Sequence, residues 1–341
     1  MKILNIGLIG YGFSGSTFHA PIIDCISGLK LTHIVSKNID KVREKYKHVA
    51  ILNNVEEIYS VKEIDLVIIT TPNTEHYSMA KQALLANKHV VVEKPFVVHS
   101  YQGKELIALA KERNLILSVY HNRRWDNGFL TLKKVLENKI LGEIYSYEAY
   151  YDRFRPLPAT EKWREQNSIG SGVLYDLGSH LIDQALHLFG KPTAIFMDTE
   201  IQRKNAQATD YFEIIFSYNK MRVILGSSSV RLSPRPVLSV HGSEGSFVKY
   251  GLDPQEQQLK LGENPSSKNW GVEPATNSAV LTVQKNGLVE PQHLASLPGS
   301  YEKYYEGIYD CIVHKKENPV DAGDALSVIE VICGELISKY Q

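Results

Sequence analysis

Cysteine is scarce in this chain: 341 residues carry Cys25, Cys311 and Cys333, far apart and never in a C-x-x-C pair. That count excludes a disulfide framework and a cysteine zinc site, and it fits a reducing compartment. Net charge is missing too, with 38 Lys plus Arg against 38 Asp plus Glu. A general nucleic-acid binder needs a basic surplus for phosphate contacts, so no nucleic-acid partner is expected. No apolar run approaches the ~20 residues of a membrane-spanning helix, so no membrane partner is expected either. Met1-Lys2 leads straight into strand-like residues without a cleavable leader pattern, and a cytoplasmic location is expected. What is present, 43% apolar and 22% charged residues, is the composition of a soluble globular protein. The length implies two domains.

The first third alternates short, apolar, mostly β-branched segments (Ile3 to Ile9, Leu29 to Ser36, Asp65 to Thr70, His89 to Val92, Leu115 to Val119) with helical stretches such as His76 to Ala86 and Tyr101 to Arg113. Strands apolar on both faces between helices predict an α/β fold with a doubly wound parallel sheet over residues 1–120. The rhythm then changes. Helices are expected over Asp126 to Asn138 and from about Leu174 to Phe189. Strands are expected over Glu143 to Tyr151, Ala194 to Arg203, Thr209 to Ser217, Met221 to Val230, Val237 to His241 and Ser246 to Tyr250. Their short turns imply antiparallel pairing in a second α/β domain, 121–341. Residues 251–300, rich in Gly, Pro, Ser, Asn and Gln, read mostly as loop; helices over Tyr301 to His314 and Ala322 to Lys339 close the chain. One side of the Thr209 to Ser217 strand carries Phe212, Ile214 and Phe216, the other Tyr211 and Ile215. Helices can cover one face and a partner subunit the second; an amphipathic, solvated face is the alternative.

Gly10-Tyr11-Gly12-Phe13-Ser14-Gly15 is a full G-x-G-x-x-G, directly after the first strand and before a helix. In that context it points to a dinucleotide: Gly10 for the tight turn, Gly12 for close approach of a pyrophosphate, Gly15 for helix–strand packing, and free N–H groups for the phosphates. Pro21 should leave the following helix short or bent. An NAD-binding chain usually carries a carboxylate about 20 residues beyond the glycines. Here Ser36 and Lys37 stand at the end of the second strand, with Arg43 further on, so a 2′-phosphate would be accepted. NADP(H) is favoured; NAD(H) stays open through Asp40, which also fits the first turn of the next helix. Thr71, Pro72, Asn73 and His76 follow the Asp65 to Thr70 strand at the carboxyl edge of the sheet, where such folds bind ligands; a plain capped turn is compatible with that role.

Glu93-Lys94-Pro95 follows the His89 to Val92 strand at the same edge. There Lys94 is suited to donate a hydrogen bond to a substrate oxygen and stabilise developing charge. Asp176 and His180 are four apart, so on a helix they share a face, with the imidazole as general acid/base. Asp183 and His187 continue that face and invite a metal reading, but hydride transfer needs no metal and none is assigned. A capped helix with a core histidine is the structural alternative.

Joined in this order, the glycine loop, Glu93-Lys94-Pro95, His121-Asn122-Arg123-Arg124-Trp125-Asp126 and the Asp176 to His180 segment resemble the Gfo/Idh/MocA oxidoreductase family over most of the chain. Tyr151-Asp152-Arg153-Phe154-Arg155-Pro156 with Trp163-Arg164 is similar to its NADP-dependent scyllo-inositol dehydrogenase branch. Gly170-Ser171-Gly172 stands where the family usually has three glycines. The resemblance implies a Rossmann domain with Gly10 to Gly15, Ser36, Lys37, Thr71, Pro72, Asn73, His76, Glu93 and Lys94 around the cofactor. It also implies a C-terminal domain with an open, mainly antiparallel sheet through which members commonly pair as homo-oligomers.

The implied activity is hydride exchange between NAD(P) and a hydroxyl or ketone of a small polyol or sugar. Lys94, Asp176 and His180 would be the catalytic trio. Arg123, Tyr151, Asp152, Arg153 and Trp163 would contact substrate hydroxyls, and Tyr304 and Tyr305 are further candidates. A cofactor-binding sensor that has lost the reaction, or glycoside cleavage through transient oxidation, would use the same fold.

Overall fold

The computed structural model describes residues 2–159, 161–285 and 288–336. They form two compact units. The first holds the chain up to Asn122, with Gln255–Trp270 and Ser300–Ile329; the second holds Arg123–Pro254, Gly271–Gly299 and the described residues from Glu330 on. The main division falls close to residue 120, and two later segments rejoin the first unit.

In the first unit the chain runs β1 (Leu4–Ile9), α1 (Ala20–Ile23), β2 (Leu29–Val35), α2 (Ile39–Lys45), β3 (Ala50–Leu52), α3 (Val55–Ser60), β4 (Leu66–Ile69), α4 (His76–Leu85), β5 (His89–Val92), α5 (Ser100–Glu112) and β6 (Leu117–Val119). The strands pair in parallel in the order β3-β2-β1-β4-β5-β6, the doubly wound sheet expected. Leu66 to Ile69 and Val90 to Val92 are fully buried, as strands covered on both faces must be. Because β2 and β4 flank β1 on opposite sides, the crevice at the carboxyl ends of β1 and β4 is where this topology binds ligands. The short β3 and α3 were not anticipated: three and six residues are too few for a periodic signal.

In the second unit α6 (Asn127–Glu137), β7 (Ile144–Tyr150), α7 (Ser179–Phe189), β8 (Ala194–Glu200), β9 (Tyr211–Ser217), β10 (Arg222–Ser228), β11 (Leu238–Gly242) and β12 (Gly245–Lys249) come in turn. After α8 (Gln255–Lys260), which belongs to the first unit, come β13 (Ala279–Lys285) and β14 (Leu288–Leu294). The sheet order is β14-β13-β12-β11-β7-β10-β9-β8, antiparallel except for the β7–β10 pair. Helix α7 packs against β10, and Phe212, Ile214 and Phe216 are buried while Tyr211 and Ile215 stay half-exposed. Two closing helices, α9 (Glu302–His314) and α10 (Ala322–Ile332), end the described elements; the part of the expected last helix from 337 onward lies outside the described residues.

The expectation of loop over residues 251–300 is corrected: α8 and the β13–β14 hairpin lie there. α8 is Gln-Glu-Gln-Gln-Leu-Lys, and β14 is an exposed edge strand containing Pro291, so neither shows a buried apolar period. Among the described residues no helix is long and apolar enough to cross a membrane.

Candidate active site

In the first unit the glycine loop leaves β1 at Gly10, whose φ of +94° suits glycine. Its N–H donates to Val35 O at 3.1 Å, and Thr70 Oγ1 donates to its carbonyl at 2.7 Å, so the ends of β1, β2 and β4 are tied to one turn. A Cβ on Gly15 would collide with the Gly10 carbonyl, whereas a Cβ on Gly12 would meet no protein atom within 4 Å. Close packing at one glycine and open space at the other is what a bound diphosphate requires, so the loop fits a dinucleotide.

The helix after the glycine loop is short, as Pro21 implied. A wide π-type turn, Gly15–His19, leads into the four residues of α1 with Pro21 in its first turn. Tyr11 is buried edge-on against Tyr46, and Phe13 is exposed with Lys260 over its ring. The Ser14 hydroxyl donates to Glu93 Oε1 at 2.6 Å.

At the end of β2 Ser36 Oγ accepts from Asn38 N at 3.1 Å, Lys37 is exposed, and Asp40 lies in the first turn of α2. Arg43 Nη1 donates to the carbonyls of Lys47 and Val49 at 2.8 and 2.9 Å. Lys41, unnoticed in the sequence, reaches the glycine loop. Its Nζ lies 3.4 Å from Tyr11 O and 3.2 Å from Ser16 Oγ, on the glycine loop itself.

Along the β4 and β5 edge, Thr71 Oγ1 contacts Met79 Sδ at 3.5 Å, Pro72 precedes a short 3-10 turn, and Asn73 within it is buried. His76 is buried with Nδ1 2.9 Å from Pro95 O and Nε2 3.1 Å from Thr71 O. Burial holds its pKa below the usual histidine value, so the neutral ring has one N–H, donated to the nearer Pro95 carbonyl. His76 thus pins the turn after Lys94, which precedes a cis proline, Pro95. Burial alone would raise the Glu93 carboxyl, but contacts with His19, the Lys94 charge and Ser14 hold it down at about 2. Tyr304 and Tyr305 are fully buried: Tyr304 donates to Ser118 Oγ at 2.8 Å and Tyr305 lies 2.6 Å from His19 Nδ1, so neither is free to meet a substrate.

In the second unit Asp176 does not sit on an α-helix with His180. Leu174–Gly178 is a π-type turn and α7 starts at Ser179, so the four-residue spacing no longer guarantees a common face. Asp176 lines a cavity of about 770 Å³ with Arg153, Arg155, Lys162, Trp163, Arg164 and Thr209 among its walls. Arg164 Nε and Arg153 Nη1 lie 3.6 and 3.9 Å from its carboxylate, and the Arg164 guanidinium stacks on Trp163 at 4.4 Å.

Arg123, Tyr151, Asp152 and Arg153 line a second cavity of about 290 Å³, so the expected substrate contacts divide between two cavities that share Arg153. Asp152 is committed elsewhere. Its carboxylate is shielded from solvent and takes Arg235 Nε and Nη2 at 2.9 and 3.0 Å plus two backbone N–H groups. Arg123 pairs with Asp126 at 3.1 Å and covers the Tyr151 ring at 5.1 Å.

His180 is buried in the first turn of α7. Further along, Asp183 receives Arg124 through bonds of 2.8 and 2.7 Å, and Gln184 donates to Arg123 O at 2.7 Å. The Arg123-Arg124 pair thereby clamps α7, a role the sequence did not signal. Among the described residues no cluster of His, Cys, Asp or Glu could hold a metal ion.

Residues 4–121 match the Gfo/Idh/MocA model described as oxidoreductase family, NAD-binding Rossmann fold, and residues 133–334 match that family's C-terminal alpha/beta domain. The chain belongs to the Gfo/Idh/MocA family of oxidoreductases. As a member of that family it carries a nicotinamide-dinucleotide-binding domain. It is 46% identical to the uncharacterised oxidoreductase YdgJ of Escherichia coli over 96% of this chain and 94% of that one. It is 38% identical to the scyllo-inositol 2-dehydrogenase (NADP(+)) IolW of Bacillus subtilis, over 96% and 92%. A structure of the Bacillus subtilis oxidoreductase yvaA superposes with a TM-score of 0.95 at 38% identity, covering 98% of this chain and 95% of that one.

Proposed function

We propose that this oxidoreductase is a dehydrogenase/reductase that exchanges a hydride between NADP(H) and a CH–OH carbon of a small, inositol-like polyol or sugar. The observation that carries the proposal is the Asp176 cavity: a carboxylate flanked by arginines and a tryptophan, four residues before a histidine, beside a wall rich in donors for hydroxyl groups. IolW, a relative over nearly the whole chain, is named for that chemistry.

The bound nicotinamide supplies the hydride acceptor or donor. Lys94 is assigned to hold the reacting oxygen and stabilise its developing negative charge. His180 takes the hydroxyl proton in oxidation and returns it in reduction; Asp176 orients the imidazole or a neighbouring hydroxyl. Arg123, Tyr151, Arg153 and Trp163 are assigned to the remaining hydroxyls. Asp152 acts indirectly, by fixing Arg235 and the loop that carries Arg153.

NADP(H) is preferred over NAD(H) on two supports: no carboxylate follows β2, where Ser36 and Lys37 stand, and Lys41 brings a cation to the glycine loop. The half-exposed face of β9, with Phe196 exposed on the edge strand β8, supports a homo-oligomer. Cys25, Cys311 and Cys333, none of them in a disulfide, support a cytoplasmic setting.

The test is a panel of inositols, aldoses and sugar ketones assayed by nicotinamide absorbance with NAD⁺ and NADP⁺ in parallel. Turnover of at least one polyol, faster with NADP⁺, is expected. Tight dinucleotide binding without any turnover would replace the proposal with a cofactor-binding sensor.

A further inference from the structure

The first unit contains a buried polar line that the proposed chemistry does not use. It starts at Ser14, whose hydroxyl donates to Glu93 Oε1 at 2.6 Å. The same oxygen lies 3.1 Å from His19 Nε2, and His19 Nδ1 lies 2.6 Å from the Tyr305 hydroxyl. His19 and Tyr305 are both 0% exposed. A carboxylate only accepts, so Nε2 carries a hydrogen, and in that tautomer Nδ1 accepts from the Tyr305 hydroxyl. All four groups are then satisfied. An aromatic cage fixes the ring: Tyr120 lies 4.3 Å from His19, donates to Phe18 O at 3.1 Å, and packs edge-on against Tyr304 at 4.8 Å.

We infer that His19 and Tyr305 are positioning residues that couple the dinucleotide loop to Lys94 through Glu93. This rests on the nicotinamide-dependent reading above. The two ends of the line carry the inference. Ser14 lies between the second and third glycines of the loop, and Glu93 is the covalent neighbour of Lys94. A buried carboxylate is costly, and the ring contacts of Tyr305 with His19 and Tyr120 would hold α9 in place within this unit without it. The polar line adds a fixed distance between the loop that takes the diphosphate and the strand end that presents the amine. Dinucleotide binding that settles Ser14 settles Glu93, and Lys94 with it; by reciprocity, loosening the far end at Tyr305 weakens dinucleotide binding.

The experiment is a double-mutant cycle in the full chain, reading the NADPH dissociation constant by nicotinamide fluorescence. Ser14 and Tyr305 are linked through Glu93 and His19. Ser14→Ala and Tyr305→Phe are each expected to weaken binding about 5- to 10-fold, and the double variant no more than about twofold beyond the weaker single. Effects that simply multiply would overturn the inference, as would a Tyr305→Phe variant with a lower melting temperature and unchanged NADPH affinity.

A second measurement separates positioning from packing. His19→Gln keeps a donor near the Nε2 position for Glu93 but no acceptor for Tyr305, and should lose about as much NADPH affinity as Tyr305→Phe; His19→Asn reaches only the Nδ1 position, breaks the Glu93 end and should lose clearly more. Equal behaviour of the two contradicts the assignment. A parent protein that binds neither NADPH nor NADH would defeat the nicotinamide reading and this inference together, whereas intact binding with a multiplicative cycle defeats this inference alone.

Discussion

Arg164 stands with its Nε 3.6 Å from Asp176 Oδ1 while its guanidinium covers the Trp163 ring at 4.4 Å. At that distance the pair attracts through charge and not through a hydrogen bond. Asp176→Asn keeps the shape and removes the charge. Steady-state kinetics should show kcat lower by about 10²-fold with NADP⁺ affinity unchanged, because orienting an acid/base group is worth roughly that much. Arg164→Gln should mainly raise the polyol KM.

Gly12 and Gly15 should fail in opposite ways. A side chain on Gly12 meets no protein atom, so Gly12→Val should fold with an unchanged melting temperature and lose dinucleotide binding. Gly15→Ala collides with the Gly10 carbonyl and should lower stability by about 1–3 kcal/mol, visible by thermal denaturation before any cofactor is added. Equal loss of stability in both would contradict the assignment of open space at Gly12 to a diphosphate.

The proposed preference for NADP(H) rests first on Ser36. A carboxylate there would repel a 2′-phosphate and accept a ribose 2′-hydroxyl. Ser36→Asp should cut kcat/KM for NADP⁺ by about tenfold or more and improve it for NAD⁺; Lys41→Gln should weaken NADP⁺ selectively, while Arg43→Gln should leave the ratio unchanged because that side chain serves Lys47 and Val49. Matching rates with both cofactors in the parent protein would defeat the argument.

The Arg124–Asp183 pair is almost sealed from solvent, at 6% and 2% side-chain exposure. Arg124→Met strands a buried carboxylate and should cost about 3–5 kcal/mol, measured by urea unfolding. Adding Asp183→Leu should recover much of that loss. Equal instability of the single and double variants would show that the arginine's packing, and not its charge, holds α7.

Much of this architecture was legible in the sequence because two physical signals are strong. Strands buried on both faces read as apolar β-branched runs, which located β1, β2, β4, β5 and β6. A glycine needed for close approach has no substitute, which located the loop. The polar contacts were not legible. Asp152 looked like a substrate ligand because the chain does not reveal that Arg235, 83 residues later, occupies it. His19 and Tyr305 meet across 286 residues, and Lys41 reaches Tyr11 from an ordinary helix position. The π-type turn at Leu174–Gly178 was hidden because Asp-x-x-x-His has the same spacing with or without it. The β13–β14 hairpin was missed because an exposed edge strand with a proline has no apolar period.

The central claim is that Lys94 and His180 perform the hydride-transfer chemistry on a polyol. The most direct measurement is the single-turnover rate of NADP⁺ reduction with a polyol found active in the panel, for the parent, Lys94→Met and His180→Asn. Each variant should be slower by about 10²- to 10³-fold while its NADPH dissociation constant stays within about threefold of the parent. Parent-like single-turnover rates in either variant would contradict the claim.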